Sequence, residues 1–198
     1  MVSIAQYKSL VKRRKQPECV NPESVVEFQD GFKNLIFNKD LLNLEKATKS
    51  RNLTYDEIQL LRHKGWNENK VEIAITNILR GLASDIQHRG IGKIRHFKID
   101  NGANLSVGGK IYKWKEGVVA NEPDKEICVF SKKKNTNLTL KVEIKRVGAP
   151  SQIEIREGQI KTLKEYNEMG YPAFITNNTL YFERVVCKRI LEFLEYKY

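Results

Sequence analysis

Two short stretches hold the residues best suited to chemistry. Pro123-Asp124 opens "EPDKEICVF", and nineteen residues beyond Asp124 the stretch "LTLKVEIKRVG" carries Glu143 and Lys145. There Leu138, Leu140, Val142 and Ile144 alternate with Thr139, Lys141, Glu143 and Lys145, the pattern of a strand with one apolar face. Residues i and i+2 of a strand project from one face, so Glu143 and Lys145 are predicted side by side. "KKKNTN" between the stretches reads as a hairpin, which returns the start of the preceding strand, and Asp124 with it, to the same end of the sheet. Asp124 and Glu143 would then hold a hard divalent cation through oxygens, with the Ile144 carbonyl as a third ligand. Mg²⁺, or Mn²⁺ in its place, suits such a half-open site because it keeps waters and accepts a substrate phosphate. The cation would acidify a water and offset charge developing at phosphorus, and Lys145 would orient that water, help deprotonate it or stabilise the charge.

Further residues join this reading, each beside a plainer one. Gln159 shares a predicted helix face with Leu163 and Tyr166, so it faces the sheet from the first turn, where its amide would position a water or phosphate; otherwise it is a helix-start glutamine bonded to backbone. Glu72 lies along the edge of an apolar helical stripe and points partly inward, or else pairs with Lys70 or Arg80. Asp124 taken singly is a turn aspartate after proline. Glu143 and Lys145 taken singly are a cross-strand ion-pair ladder worth under about 1 kcal/mol. The order in which they occur favours the site.

The elements that must position these residues follow from periodicity. The first 90 residues read as helical, with a break at Gly31. Thr54 and Glu57 form a capping box for a short helix that stops at Gly65. Asn67 opens a longer helix to about His88, with Val71, Ile75, Ile78, Leu79, Leu82 and Ile86 as its buried stripe. Beyond "HRGIG" the period becomes extended: "KIRHFKID" and "KIYKW" flank the turn-rich "NGANLSVGG", and "EICVF" and "LTLKVEIKR" follow. "EGQIKTLKEYNEMG" returns to helix, capped by Gly170 with Pro172 beyond. "PAFIT" and "LYFER" are expected to make a last strand pair around the turn "NN", before a C-terminal helix from about Val185 to Tyr196. The expected class is α/β, a mixed β-sheet flanked by helices.

Pro123-Asp124 with Glu143-x-Lys145 resembles the PD-(D/E)XK nuclease superfamily, and the downstream "GQIKTLKEYNEMGYPAFI" resembles its VRR-NUC branch. In that branch a glutamine opening a helix, a glycine and a short apolar strand similarly follow the Glu-x-Lys strand. The resemblance covers about residues 70 to 183 and does not extend to the first 60 residues. It implies a restriction-endonuclease-like core over residues 67–198 behind a helical N-terminal extension, 1–66. It also implies an Mg²⁺-dependent deoxyribonuclease with Asp124, Glu143, Lys145 and Gln159 as catalytic residues. Many nucleases of the superfamily place a carboxylate of the first core helix against the same metal, which gives Glu72 a part beside Asp124, Glu143 and Ile144. Two departures are a long segment from Gly102 to Val119 before Pro123 and a long bridge, "VGAPSQIEIRE", before Gln159. Both read as loops that shape a substrate channel.

Charge supports the same partner. Thirty-five Lys and Arg against 24 Asp and Glu leave +11 on a chain of 198 residues, concentrated in "KRRK" (residues 12–15) and "SKKKN". Neutralising phosphates releases condensed counterions, so this is the footprint of a protein that meets nucleic acid. Lys132, Lys133, Lys134, Arg146 and Lys161 are the expected contacts to DNA, with the hairpin lysines placed next to the site. A basic surface kept for solubility is the bland alternative. No stretch approaches the roughly 20 apolar residues of a membrane helix, and "MVSIAQYKSLVKRRKQ" lacks a signal peptide's apolar core, so an intracellular, cytoplasmic protein is expected, with a phage or mobile-element setting left open. Cys19, Cys128 and Cys187 are too few and too scattered for a zinc site or a disulfide framework. A non-catalytic nucleic-acid-binding protein on a nuclease-like scaffold is the runner-up. A structural protein whose basic faces dock acidic partners is third, and a homodimer is left open.

Overall fold

The computed structural model describes residues 34–99, 104–107, 110–113, 121–153 and 155–196. The expected break at Gly31 and the "KRRK" run lie outside them, as do most of the residues from Gly102 to Val119. Helix α1 spans Asn38–Ala47 and α2 spans Tyr55–Leu61. The Thr54 box forms as expected: the Glu57 amide donates to Thr54 Oγ1, and the Thr54 amide donates to the Glu57 carboxylate. The chain then turns through Gly65, whose φ of +70° favours glycine. Asn67 starts α3, Glu68–His88, its side chain accepting from the Lys70 amide at 2.9 Å. Of the expected stripe Val71, Ile75, Leu79 and Ile86 are buried, while Ile78 and Leu82 are half-buried at its edge.

Strand β1 is Gly92–Lys98, and β2 (Asn104–Val107) pairs with β3 (Lys110–Lys113) as a separate two-stranded ribbon. Then come β4 (Lys125–Ser131), β5 (Thr136–Ile144), α4 (Glu157–Glu168) and β6 (Ala173–Thr176). The main sheet has the order β1-β4-β5-β6, with antiparallel β1/β4 and β4/β5 and parallel β5/β6. A mixed sheet flanked by helices is therefore present. Ile127, Val129, Leu140, Val142 and Ile144 form one core with α3 and the C-terminal helices. Ile175 and Ala173 on β6 form another with Ile160 and Leu163 of α4. Covering both faces explains why β5 is buried at every residue from Leu140 to Ile144, polar ones included.

One expected strand is a helix. "LYFER" was to pair with "PAFIT", but Thr179–Tyr181 begins a helical run that continues as a π-helix, Phe182–Cys187, and an α-helix, Lys188–Phe193. The Asn178 side chain accepts from the Leu180 and Tyr181 amides and caps the run. Phe182, Val186, Cys187, Ile190, Leu191 and Leu194 all enter the core with α3. Their spacing is helical, and burial against α3 decides in its favour.

Candidate active site

β4 and β5 are in register from Lys125↔Val142 to Ser131↔Thr136, so Asp124 lies one residue beyond the ladder, opposite Glu143. Asp124 Oδ2 accepts from the Ile144 amide at 2.7 Å, which ties the aspartate to the end of the Glu-x-Lys strand. A strand residue's N–H and C=O leave the same edge, so the Ile144 carbonyl also faces Asp124. Glu143 and Lys145 are side by side as predicted, with Lys145 Nζ 2.7 Å from Glu143 Oε1 and both residues buried, at 2% and 6% exposure.

Gln159 completes the cluster: it makes the backbone bond the sequence left open and also reaches the sheet. At the start of α4 its Oε1 accepts from the Arg156 amide at 3.1 Å and from Lys145 Nζ at 3.1 Å. Its Nε2 donates to Glu143 Oε1. The amide expected to position a water or phosphate instead clamps the Glu143–Lys145 pair. Gly158, one residue earlier, permits this docking, since a Cβ there would lie 2.4 Å from the Asn121 side chain.

Both contacts to Glu143, from Lys145 Nζ and from Gln159 Nε2, use Oε1. Glu143 Oε2 is buried with no hydrogen-bond partner, the single such side-chain atom among the described residues. Burial pushes the Glu143 carboxyl up to about 7; the Lys145 ammonium opposes that rise, while Asp124 and Glu68 add to it. Asp124 is also raised, first by burial and to a smaller degree by Glu72, against the Ile144 amide, Lys145 and Lys98. The fields of Glu72, Lys98 and Lys145 therefore meet at Asp124.

Glu72 takes neither partner expected of it. It pairs with Lys98 at 2.6 Å and with Lys125 at 3.7 Å, not with Lys70 or Arg80. Lys125 is only 2% exposed, and burial lowers its pKa. Among the described residues no three Asp, Glu, His or Cys side chains are gathered to hold a metal. A cation would rest on two carboxylates and a carbonyl, the sparse oxygen set that Mg²⁺ completes with water and phosphate. The orphaned Glu143 oxygen fits that requirement, because a buried carboxylate oxygen without a partner is costly unless something binds it.

The lysine hairpin is not beside this cluster. Its tip joins the Ser131 and Thr136 ends of β4 and β5, whereas Asp124 and Glu143 are at the other end, roughly 20 Å away along the strands. Lys133 and Lys134 both pair with Glu195, and Lys134 lies over the Phe193 ring at 5.1 Å. Arg146 is exposed just past Lys145, and Lys161 is exposed on α4, 3.9 Å from Glu165.

Reading the sequence for motifs missed Asn177 and Lys125. Asn177 is fully buried, exchanges hydrogen bonds with the Ile36 backbone and donates to the Arg146 carbonyl at 3.0 Å. It thereby holds the segment before α1 against the strand end that carries Lys145. The adjoining "NN" read as a turn, and nothing in local pattern marks one asparagine of a turn as a long-range clamp. Lys125 was legible as the inward position next to Asp124, since β4 alternates strictly in burial. No protein-family model, curated protein or solved structure matches the chain.

Proposed function

We propose that the protein is a metal-dependent deoxyribonuclease whose sheet and helices work as a PD-(D/E)XK-like core. The observation that carries this reading is Glu143: a carboxylate buried between Asp124 and Lys145 with one oxygen left without a partner. A salt-bridge ladder kept only for stability would not leave a buried carboxylate oxygen without a protein partner.

Asp124, Glu143 and the Ile144 carbonyl would hold Mg²⁺ or Mn²⁺, which when bound supplies Lewis acidity toward water and phosphate. The chain's own residues do the rest. Gln159 and Glu143 fix the Lys145 ammonium by two contacts, so its remaining proton can be directed to a phosphate oxygen as negative charge grows there. Burial makes that charge-assisted hydrogen bond stronger than it would be in water. Glu72, Lys98 and Lys125 set the charge around Asp124 from the α3 face. In the reaction a water oxygen bonds to phosphorus, the P–O bond to the departing sugar breaks, and that sugar oxygen takes a proton.

The test is incubation of pure protein with linear, circular, single-stranded and branched DNA in Mg²⁺, Mn²⁺ or EDTA. Cleavage that requires the metal and disappears in Glu143→Gln supports the reading. If no form is cut, the chain is a non-catalytic binder on the same scaffold.

A further inference from the structure

The sheet face that carries Glu143 and Lys145 continues beyond them to the β1 edge. The register sets Lys93, Arg95 and Phe97 of β1 opposite Phe130, Cys128 and Glu126 of β4, and Glu126 in turn opposite Lys141, two residues before Glu143 on β5. Side chains two apart in a strand share a face, so all of these lie on the side of Glu143 and Lys145, while the alternate residues Ile94, Ile127 and Val129 pack with α3 on the other. From β6, α4 reaches across the near side to Lys141, whose ammonium lies 4.5 Å from the Tyr166 ring. Past that contact the face is open: Lys93, Arg95 and Phe97 are exposed, and Glu126, Cys128 and Phe130 are half-buried.

Its residues suit a partner with phosphates and free bases. The one carboxylate these strands place on the open stretch, Glu126, is neutralised by Lys141. Lys93 and Arg95 have no ion-pair partner among the described residues and follow each other about 7 Å apart along β1. Phe97, next on that face, leaves an aromatic ring 50% exposed. The residue after it on the same face, Ile99, donates its amide to the Asp124 carbonyl at 2.8 Å, which makes Phe97 the diagonal neighbour of Asp124 across the two strands. Such neighbours stand roughly 7–8 Å apart. Glu143 is roughly 12 Å from Phe97, two strand spacings across and two residues along.

We propose that Phe97 is a specificity-determining residue: it stacks an unpaired base of a DNA strand whose phosphates lie on Lys93 and Arg95, and so selects single-stranded DNA for the cluster beside it. The selection of a substrate rests on the nuclease reading; the binding does not. A base within a duplex has both faces covered by its neighbours, so only an unpaired base can lie flat on the ring. Stacking of this kind tolerates any base, because each has a π-face. The order along β1, two cations and then the ring nearest Asp124, leads such a strand along the sheet face toward the cluster.

The test uses the full chain in EDTA and the fluorescence anisotropy of a labelled oligothymidylate, alone or annealed to its complement. Phe97→Ala should weaken binding of the single strand at least about fivefold, the share of one stacked base. The same change should leave the salt dependence and the duplex affinity as in wild type. Lys93→Ala/Arg95→Ala should instead reduce the slope of log K against log salt by about 1.4, at about 0.7 per phosphate contact. Arg80→Ala, on α3 and so on the other side of the sheet, should bind like wild type. Phe97→Trp should keep the affinity, and the indole emission it adds should be quenched by oligothymidylate. The proposal is overturned if Phe97→Ala holds the single strand as wild type does, if it loses as much on the duplex, if Arg80→Ala weakens binding as much as Lys93→Ala/Arg95→Ala, or if the added emission does not respond. Because binding is measured without metal, the two readings fail separately. A chain that binds through Phe97 and cuts nothing keeps the stacking site and loses the nuclease, and a chain that cuts while Phe97→Ala binds normally loses only the stacking site.

Discussion

At the scale of one residue the proposed chemistry turns on Glu143, whose protonation is measurable without a substrate. Its carboxyl is raised from an ordinary 4.5 to about 7. Between those values the folded chain keeps a proton that the unfolded chain has lost, so this group's contribution to stability falls as pH rises through the window. The loss comes to about 3 kcal/mol at about 1.4 kcal/mol per unit. Glu143→Gln carries no charge, and its amide can still accept from Lys145 and Gln159. In EDTA, urea denaturation should find the variant more stable than wild type at pH 8 and nearly equal at pH 5; a variant less stable at both would mean that the buried charge is not a cost. In Mg²⁺ the same change should lower cleavage by orders of magnitude with DNA binding retained. Lys145→Ala should slow cleavage while leaving metal affinity, read by calorimetry, within a few fold, since the proposed partner of Lys145 is the phosphate rather than the cation. The side-by-side Glu143 and Lys145 were legible from strand period alone. The choice of Oε1 for every contact was not, because it depends on how α4 docks.

Elements fix where these residues stand, and here local pattern succeeded where the environment was one-sided. α3 matches its expectation because Asn67 caps it and its apolar stripe meets a single sheet face. "LYFER" failed because Leu180 and Phe182 alternate like a strand over a few residues, and only the later Val186, Ile190 and Leu194 reveal the longer period. The helical run is also tied to α2. His63 Nδ1 lies 3.1 Å from the Gln59 carbonyl, so it is the donor, and the neutral Nε2 accepts from the Thr179 amide at 3.2 Å. Burial lowers the His63 pKa. A base depressed in the folded state contributes stability that is complete above its unfolded pKa, about 6.5, and is lost as pH falls toward the folded value. That sign is opposite to Glu143's over a neighbouring range, so the two must be separated. In the Glu143→Gln background, stability should decline from pH 7 to pH 5, and adding His63→Asn should flatten the decline. An unchanged slope would assign it to other groups.

Across the whole molecule, a hairpin has two ends, and the sequence identifies which residues lie at each without saying which end matters. The lysines of the β4–β5 tip and the Asp124–Glu143 pair are joined by the same two strands and separated by their full length. Net charge thus misled as a pointer to the site, since Lys133 and Lys134 are drawn to Glu195. Among the described residues no helix is long and apolar enough to cross a membrane. The site, at the opposite sheet end, draws together β4, β5 and the start of α4, elements separated by loops, so filling it should stabilise the fold as a unit. A ligand that binds only the folded chain adds RT ln(1 + [L]/Kd), about 1.4 kcal/mol at ten times Kd. For a domain of this size that raises Tm by about 3–5 °C. The cation must displace the proton on Glu143, so the rise should be larger at pH 8 than at pH 6 and should vanish on adding EDTA. Asp124→Asn and Glu143→Gln should each abolish it, while Lys133→Ala should not. A Tm that rises equally in all variants would show the cation acting on the surface at large, and the two-carboxylate site would then be wrong.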